Sequence, residues 1–233
     1  MVKSELNKRS PLRIFEKSIN GGVGKGNIGV LASRKGVGKT ACLVHIAMDK
    51  LFRDRHVIHV SFSAKVDHIS MWYEDIFKEI AKKRELEDAV SIHDEIIKNR
   101  VIMNFNQEGF STERILNSIS AMIDQGHFAA DAIMIDGYDY AKASGEDLKA
   151  LRDFAERTQL EIWTSVSLQK DEPFDENGMP VILNDYLDNL AVVITLKYEG
   201  DYVHLNVVKD HDEIAPHEMS LKLDPKTLLI AEI

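Results

Sequence analysis

The chain has 233 residues, 44% of them hydrophobic, which is enough to bury the core of one α/β domain and too much for wholesale disorder. A net charge of -9 and a pI near 5.5 argue against a stand-alone nucleic-acid binder, which presents a net basic surface. One cysteine, Cys42, excludes an internal disulfide framework and a cysteine-based zinc site; the charged segment Met1 to Leu12 lacks an apolar signal core, no apolar run approaches the roughly 20 residues of a membrane span, and the expected compartment is the cytoplasm.

Residues 1–19 are polar, with apolar anchors at Leu12, Ile14 and Phe15. The glycines Gly21, Gly22, Gly24 and Gly26 follow. A dinucleotide fingerprint would have to follow a strand and open a helix. These glycines instead precede the apolar strand Ile28 to Ala32 and read as a turn feeding it. The loop Ser33 to Thr40 leads into a helix, Ala41 to Phe52, and then a strand, Val57 to Phe62. Helical periodicity covers His68 to Lys83 and Arg84 to Lys98, the latter through Ala89, Ile92 and Ile96. Val101 to Phe105 is a short strand. Thr112 to Ile123 is a helix with Ile115, Leu116, Ile119 and Met122 on one face.

Ala132 to Ile135 is a continuous apolar strand ending in Asp136. Ser144 can cap a helix whose Leu148, Leu151, Phe154 and Ala155 point one way. Leu160 to Val166 is a strand, and the polar stretch Ser167 to Pro180 a loop. Ala191 to Leu196 and Tyr202 to Val208 flank Glu199-Gly200-Asp201 as a hairpin. Glu218 to Leu223 and Thr227 to Ile230 close the chain as strands. Alternating strands and helices followed by a run of strands predict a single α/β domain over 1–233, with a short lead-in at 1–20. Its sheet is mostly parallel, with antiparallel strands added at one edge.

Ser33-Arg34-Lys35-Gly36-Val37-Gly38-Lys39-Thr40 lies between a strand and a helix and carries the second half of a P-loop, Gly-Lys-Thr. Small residues let backbone N–H groups turn inward on an anion, and the following helix adds its N-terminal dipole. Ser33 to Ala41 are therefore the candidate nucleotide-binding residues, for ATP or ADP. Lys39 would reach the β- and γ-phosphates, and Thr40 would hold Mg²⁺. Ser33 stands where the pattern has its first glycine, and a positive φ there would be strained. Asp136, after four apolar residues, is the second candidate Mg²⁺ residue, with Asp139 as fallback.

With these motifs in place the chain resembles the RecA-like ATPases, in particular the KaiC-type and replicative-helicase branch, over about residues 12–231. Leu12-Arg13-Ile14-Phe15 with the glycines at 21–26 is similar to that family's lead-in, Ser33 to Thr40 to its phosphate loop, and Ile133 to Asp136 to its magnesium strand. Ile162 to Ser167 is similar to the strand that senses the γ-phosphate. The resemblance implies a three-layer P-loop fold. It also implies self-assembly or a protein partner, with the nucleotide between subunits. Lys209-Asp210-His211 is similar to the family's Lys-x-Arg element, so Lys209 and His211 join Lys39 as candidate catalytic residues. Alternation would place both on one side of an extended segment.

Two departures bear on turnover. Ser63 occupies the position of the family's water-orienting glutamate, and a hydroxyl is a poor general base; Asp67 is the next candidate. Ser167 falls at the sensor position, with Gln169 nearby. The expected function is a slow ATPase or ATP-controlled switch that assembles with copies of itself. The alternatives are a non-hydrolysing regulatory or scaffolding subunit and a ParA/MinD-type ATPase, whose loop Arg34 to Thr40 resembles with one glycine missing. His56 and His59 lack metal-ligand companions and read as structural or surface residues. Cys42 reads as a small apolar group, and Trp72 and Tyr73 as core or interface.

Overall fold

The computed structural model describes residues 3–62, 67–106, 108 and 110–233. In chain order the elements are α1 (Lys3–Lys8), α2 (Leu12–Lys17), β1 (Ile28–Arg34), α3 (Lys39–Phe52), β2 (Val57–Ser61), α4 (His68–Lys83), α5 (Ala89–Lys98), β3 (Arg100–Asn104), α6 (Thr112–Asp124), β4 (Ala132–Asp136), α7 (Gly145–Thr158), β5 (Glu161–Leu168), a 3₁₀ helix (Val181–Asn189), β6 (Val192–Glu199), β7 (Tyr202–Asp210), β8 (Glu213–Leu223) and β9 (Ile230–Glu232).

Period-two alternation sends apolar side chains to both faces of the sheet, so helices must cover both. Ile28 and Val30 of β1, Ile58 and Val60 of β2 and Ile133 and Ile135 of β4 pack with α6, α7 and the 3₁₀ helix. Leu31, Val57 and Met134 pack on the other side, with α3, α4 and α5. Among the described residues the strands lie in the order β3-β2-β4-β5-β1-β6-β7-β8-β9. β1 to β6 are mutually parallel, and β7, β8 and β9 add antiparallel strands at one edge. The chain leaves β1 through α3 and returns three places away, at β2, so the strand order reverses beside β1. A crevice opens there, at the carboxyl ends of the strands, where open α/β sheets place their ligands.

Several element bounds differ from the sequence reading. The lead-in contains two six-residue helices whose Leu6, Leu12 and Phe15 are buried. Helix α5 starts at Ala89, not Arg84, because Glu85 and Asp88 adopt left-handed conformations that interrupt it. β5 runs on to Leu168, and the 3₁₀ helix follows the loop. β8 begins at Glu213 despite Pro216. Its outer edge is unpaired there, since β9 meets β8 only at Leu221 to Leu223, and an edge tolerates the missing N–H. β9 is displaced to Ile230–Glu232 by the turn in which Leu228 N–H donates to Asp224 O at 2.7 Å.

Trp163 of β5 shows how tightly the layers close. It is 1% exposed and tilts against Phe15 of α2. Gly29 of β1 makes room for it, because a Cβ there would lie 2.8 Å from the indole and 2.6 Å from Val23. Among the described residues no helix is long and apolar enough to cross a membrane.

Two imidazoles are sealed in this core. His45 Nδ1 of α3 accepts the Ile230 N–H at 2.9 Å and so ties β9 to the central helix. His59 Nδ1 of β2 meets the Tyr73 hydroxyl at 3.0 Å. Burial pushes both down to about 4, against Asp49 for His45 and Asp136 for His59, while Lys83 and Arg84 near the first and Arg100 near the second push the same way as burial. The folded-state values lie below the ordinary 6.5, so on acidification the unfolded chain takes up protons first. Stability is therefore full above about 6.5 and falls as pH drops from there to about 4, by up to about 3 kcal/mol per histidine. Urea unfolding at pH 7 and pH 4.5 measures this, and His45→Gln, which keeps an acceptor for Ile230, should remove part of the loss. A flat profile between those pH values would refute it.

Candidate functional site

The crevice is built around the turn between β1 and α3. Gly36 (φ 83°) and Gly38 (φ 122°) carry the left-handed conformations of this turn. At Gly38 a Cβ would also lie 2.3 Å from Leu223 of β8, so the turn is pressed against the antiparallel edge. Ser33 is the penultimate residue of β1, paired with Ser167 of β5, and its φ is not positive. The strain expected for a serine at this position is therefore absent: the turn makes its sharp bends three and five residues later.

Lys39, the first residue of α3, is 7% exposed. Its Nζ donates to Ser33 O at 2.9 Å, Arg34 O at 3.0 Å and Ser33 Oγ at 3.2 Å. An ammonium has three N–H groups, and all three are directed back at the loop. Burial pushes Lys39 down to about 8, and the nearby Asp136 opposes that shift. Arg34 turns away, and its Nη2 donates to Lys170 O at 2.7 Å.

Asp136 closes β4, two strands from β1. Its Oδ2 accepts from Thr40 Oγ1 at 2.8 Å and its Oδ1 from Ser165 Oγ at 2.7 Å. Ser165 lies on β5, the strand between β1 and β4, and also accepts the Gly137 N–H at 2.8 Å. Asp139 stands apart, paired with Lys142 at 3.0 Å. Among the described residues no group of three or more His, Cys, Asp or Glu is placed to hold a metal ion. Thr40 and Asp136 supply a hydroxyl and a carboxylate, hard oxygen donors that suit Mg²⁺ when phosphate oxygens and water complete its shell.

The cleft over this turn, ≈ 460 Å³, is lined by Lys35, Gly36, Gly38, Lys39, Thr40, Ser61, Phe62, His68, Trp72, Asp136, Gly137, Ser165 and Ser167. The sequence reading places Lys35 to Thr40, Asp136 and Ser167 here and misses Ser61, His68 and Ser165. A serine inside an apolar strand carries no sequence signal, and reading Trp72 as core or interface overlooks its cleft-facing side. Trp72 Nε1 donates to His68 Nε2 at 3.2 Å, so both residues reach the cleft from one face of α4. Gln169 instead lines an adjoining groove of ≈ 840 Å³, between the loop after β5 and strands β6 to β8, with Ser33, Arg34, Val37, Phe174 and Tyr198. Asp67 precedes α4 and is exposed. Ser63 lies outside the described residues.

Lys209 and His211 are not at this cleft. Lys209 pairs with Val193 of β6, and Val193 with Val30 of β1, so Lys209 is level with the start of the parallel strands and not with their carboxyl ends. The alternation expected to put both side chains on one side does not hold. β7 ends at Asp210, and His211 sits in the following turn with φ 55°. There its Nδ1 pairs with Asp210 Oδ1 at 2.6 Å, and Lys209 Nζ donates to its carbonyl.

No family model and no curated protein matches the sequence. In three dimensions 507 solved chains match. One of them, the ATPase domain of a replicative helicase, superposes with a TM-score of 0.67 over 94% of this chain and 88% of that chain, at 15% identity. Antiparallel strands at the C-terminal edge separate the RecA-like reading from the ParA/MinD-type one, and β7 to β9 supply them. The likeness establishes a fold: three-layer α/β, with a mostly parallel central sheet and antiparallel C-terminal strands, in the RecA-like arrangement.

Proposed function

We propose that the chain binds ATP or ADP with Mg²⁺ in the cleft over Ser33 to Ala41, turns ATP over slowly if at all, and assembles with copies of itself. The observation that carries this reading is the convergence of Lys39, Thr40 and Asp136 at one helix N-terminus, with Thr40 Oγ1 2.8 Å from Asp136. Backbone N–H groups at Gly36 to Thr40 and the dipole of α3 favour a polyphosphate. Lys39 then exchanges loop carbonyls for β- and γ-phosphate oxygens, and Thr40 and Asp136 hold the cation. The adjoining groove takes the base and ribose, with Tyr198 (57% exposed) and Phe174 (50%) offering ring faces beside Val37. The cation would neutralise phosphate charge and draw on the γ-phosphate; the chain's own part is to hold the phosphates in line.

Slow turnover follows from what the cleft lacks. Among its described lining residues Asp136 is the single carboxylate, and both its oxygens are engaged. The His68 Nε2 lone pair is taken by Trp72. With a serine at position 63, no free base among those residues stands ready to orient and deprotonate water, a role worth roughly 10²- to 10⁴-fold. The same shortage favours a second reading, a non-hydrolysing regulatory or scaffolding subunit.

Calorimetry with ATP and ADP, with and without Mg²⁺, combined with phosphate release, tests both. Expected are Mg²⁺-dependent binding and turnover well below the roughly 10 s⁻¹ of an ordinary enzyme. Release that cannot be detected selects the second reading. Turnover of tens per second, or no nucleotide binding at all, would overturn the proposal.

For assembly we propose Lys209 as the residue that reaches a neighbour's nucleotide. Its level on the sheet, four residues before Arg34 in the β1 register, keeps it about 13 Å from its own phosphate turn. A contact to phosphate from Lys209 must then come from a second copy.

A further inference from the structure

The carboxylate of Asp136 is held from below by a hydroxyl that the nucleotide would not touch. Ser165 is 1% exposed, at the centre of the sheet between β1 and β4. Its Oγ accepts the Gly137 N–H at 2.8 Å, which leaves its one proton for Asp136 Oδ1, 2.7 Å away. Gly137 follows Asp136 directly, so strand end, serine and carboxylate form a closed ring of hydrogen bonds. The ring fixes the rotation of the carboxylate and commits Oδ1. Oδ2 is left facing Thr40, at 2.8 Å.

We propose that Ser165 is a positioning residue that sets the cation preference of this site by making Asp136 a one-oxygen donor. The inference rests on the Mg²⁺-nucleotide reading above. Mg²⁺ takes near-octahedral, single-oxygen donors and retains water, whereas Ca²⁺ accepts more ligands and readily takes both oxygens of a carboxylate. With Oδ1 bonded to Ser165, the two-oxygen mode is closed to Asp136. Removing the hydroxyl frees Oδ1, lets the carboxylate rotate, and opens that mode.

The test is ATP binding at fixed ATP, titrated with MgCl₂ or CaCl₂, in the natural chain, Ser165→Ala and Ser165→Thr, with a metal-free series in EDTA. For Ser165→Ala the Mg²⁺ needed for half-maximal binding should rise by about 3- to 10-fold, the scale of one lost charge-assisted hydrogen bond. The Ca²⁺ requirement should rise less or fall, and the metal-free ATP affinity should stay the same. Ser165→Thr keeps the hydroxyl and should keep the natural preference. The ratio of the two metal requirements is the deciding readout, since a loss of stability alone lowers the amount of competent protein and leaves the ratio unchanged. An unchanged ratio in Ser165→Ala, or the same shift in Ser165→Thr, would overturn the role of Ser165 and leave the nucleotide reading standing. Failure of the natural chain to bind ATP with either metal would instead remove the nucleotide reading, and with it the role of Ser165.

Discussion

Lys39→Ala is expected to weaken ATP binding about 100-fold while leaving the fold intact. Among the described residues the ammonium is the only cation that the geometry buries in the phosphate turn: Arg34 is turned onto Lys170 O, and Lys35 is exposed. Its loss removes charge-assisted hydrogen bonds to phosphate worth about 3 kcal/mol. Part of the natural affinity is already offset, because Lys39 must leave Ser33 O, Ser33 Oγ and Arg34 O before it can reach a ligand. The substitution should therefore cost less than the full strength of a free lysine. It should cost little stability, since alanine is a good helix former at the start of α3. Calorimetry on both proteins, with thermal unfolding as the control for folding, checks this. Equal affinities would mean that the nucleotide, if bound, lies elsewhere.

The sequence makes the phosphate turn legible because its chemistry is local. Gly36 and Gly38 must bend the chain, and Lys39 and Thr40 must follow at fixed spacing. Asp136 is legible for a related reason: four apolar residues commit it to the end of a buried strand. Ser165 is not, because its role depends on β5 lying between β1 and β4, a matter of strand order that no spacing reveals. His68 and Trp72 reach the cleft only because α4 packs over it. The strain expected at Ser33 comes from aligning it with a glycine; the chain keeps that residue in the strand and bends later. At His211 the expected extended segment runs one residue too far, since the turn to β8 begins directly after Asp210. The lead-in helices α1 and α2 are too short for a periodic pattern, and Leu6, Leu12 and Phe15 are anchored by the core, not by helical propensity.

Lys209→Ala is expected to abolish ATP-promoted self-association, a change of at least about 10-fold in the association constant, while the nucleotide affinity of the single chain stays the same. The separation of Lys209 from its own phosphate turn predicts the second half of that result. The first half follows from its surroundings. Burial lowers the pKa of Lys209, and Asp212 and Asp188, with Asp210 nearby, work against that and keep it charged. The carboxylates also compete with any phosphate for the ammonium, and Nζ is already bonded to His211 O. A triphosphate from a neighbouring copy carries more charge than any one of them and can draw the ammonium across. With the lysine removed, the aspartates remain, and a phosphate brought to the same place is repelled instead of attracted. The substitution should therefore weaken assembly more than the loss of one exposed ion pair, and high salt should weaken the natural assembly in the same direction. Sedimentation velocity of both proteins with a slowly hydrolysed ATP analogue, at low and high salt, measures each effect. A monomer under every condition, or a variant that assembles as well as the natural chain, would remove Lys209 from the interface.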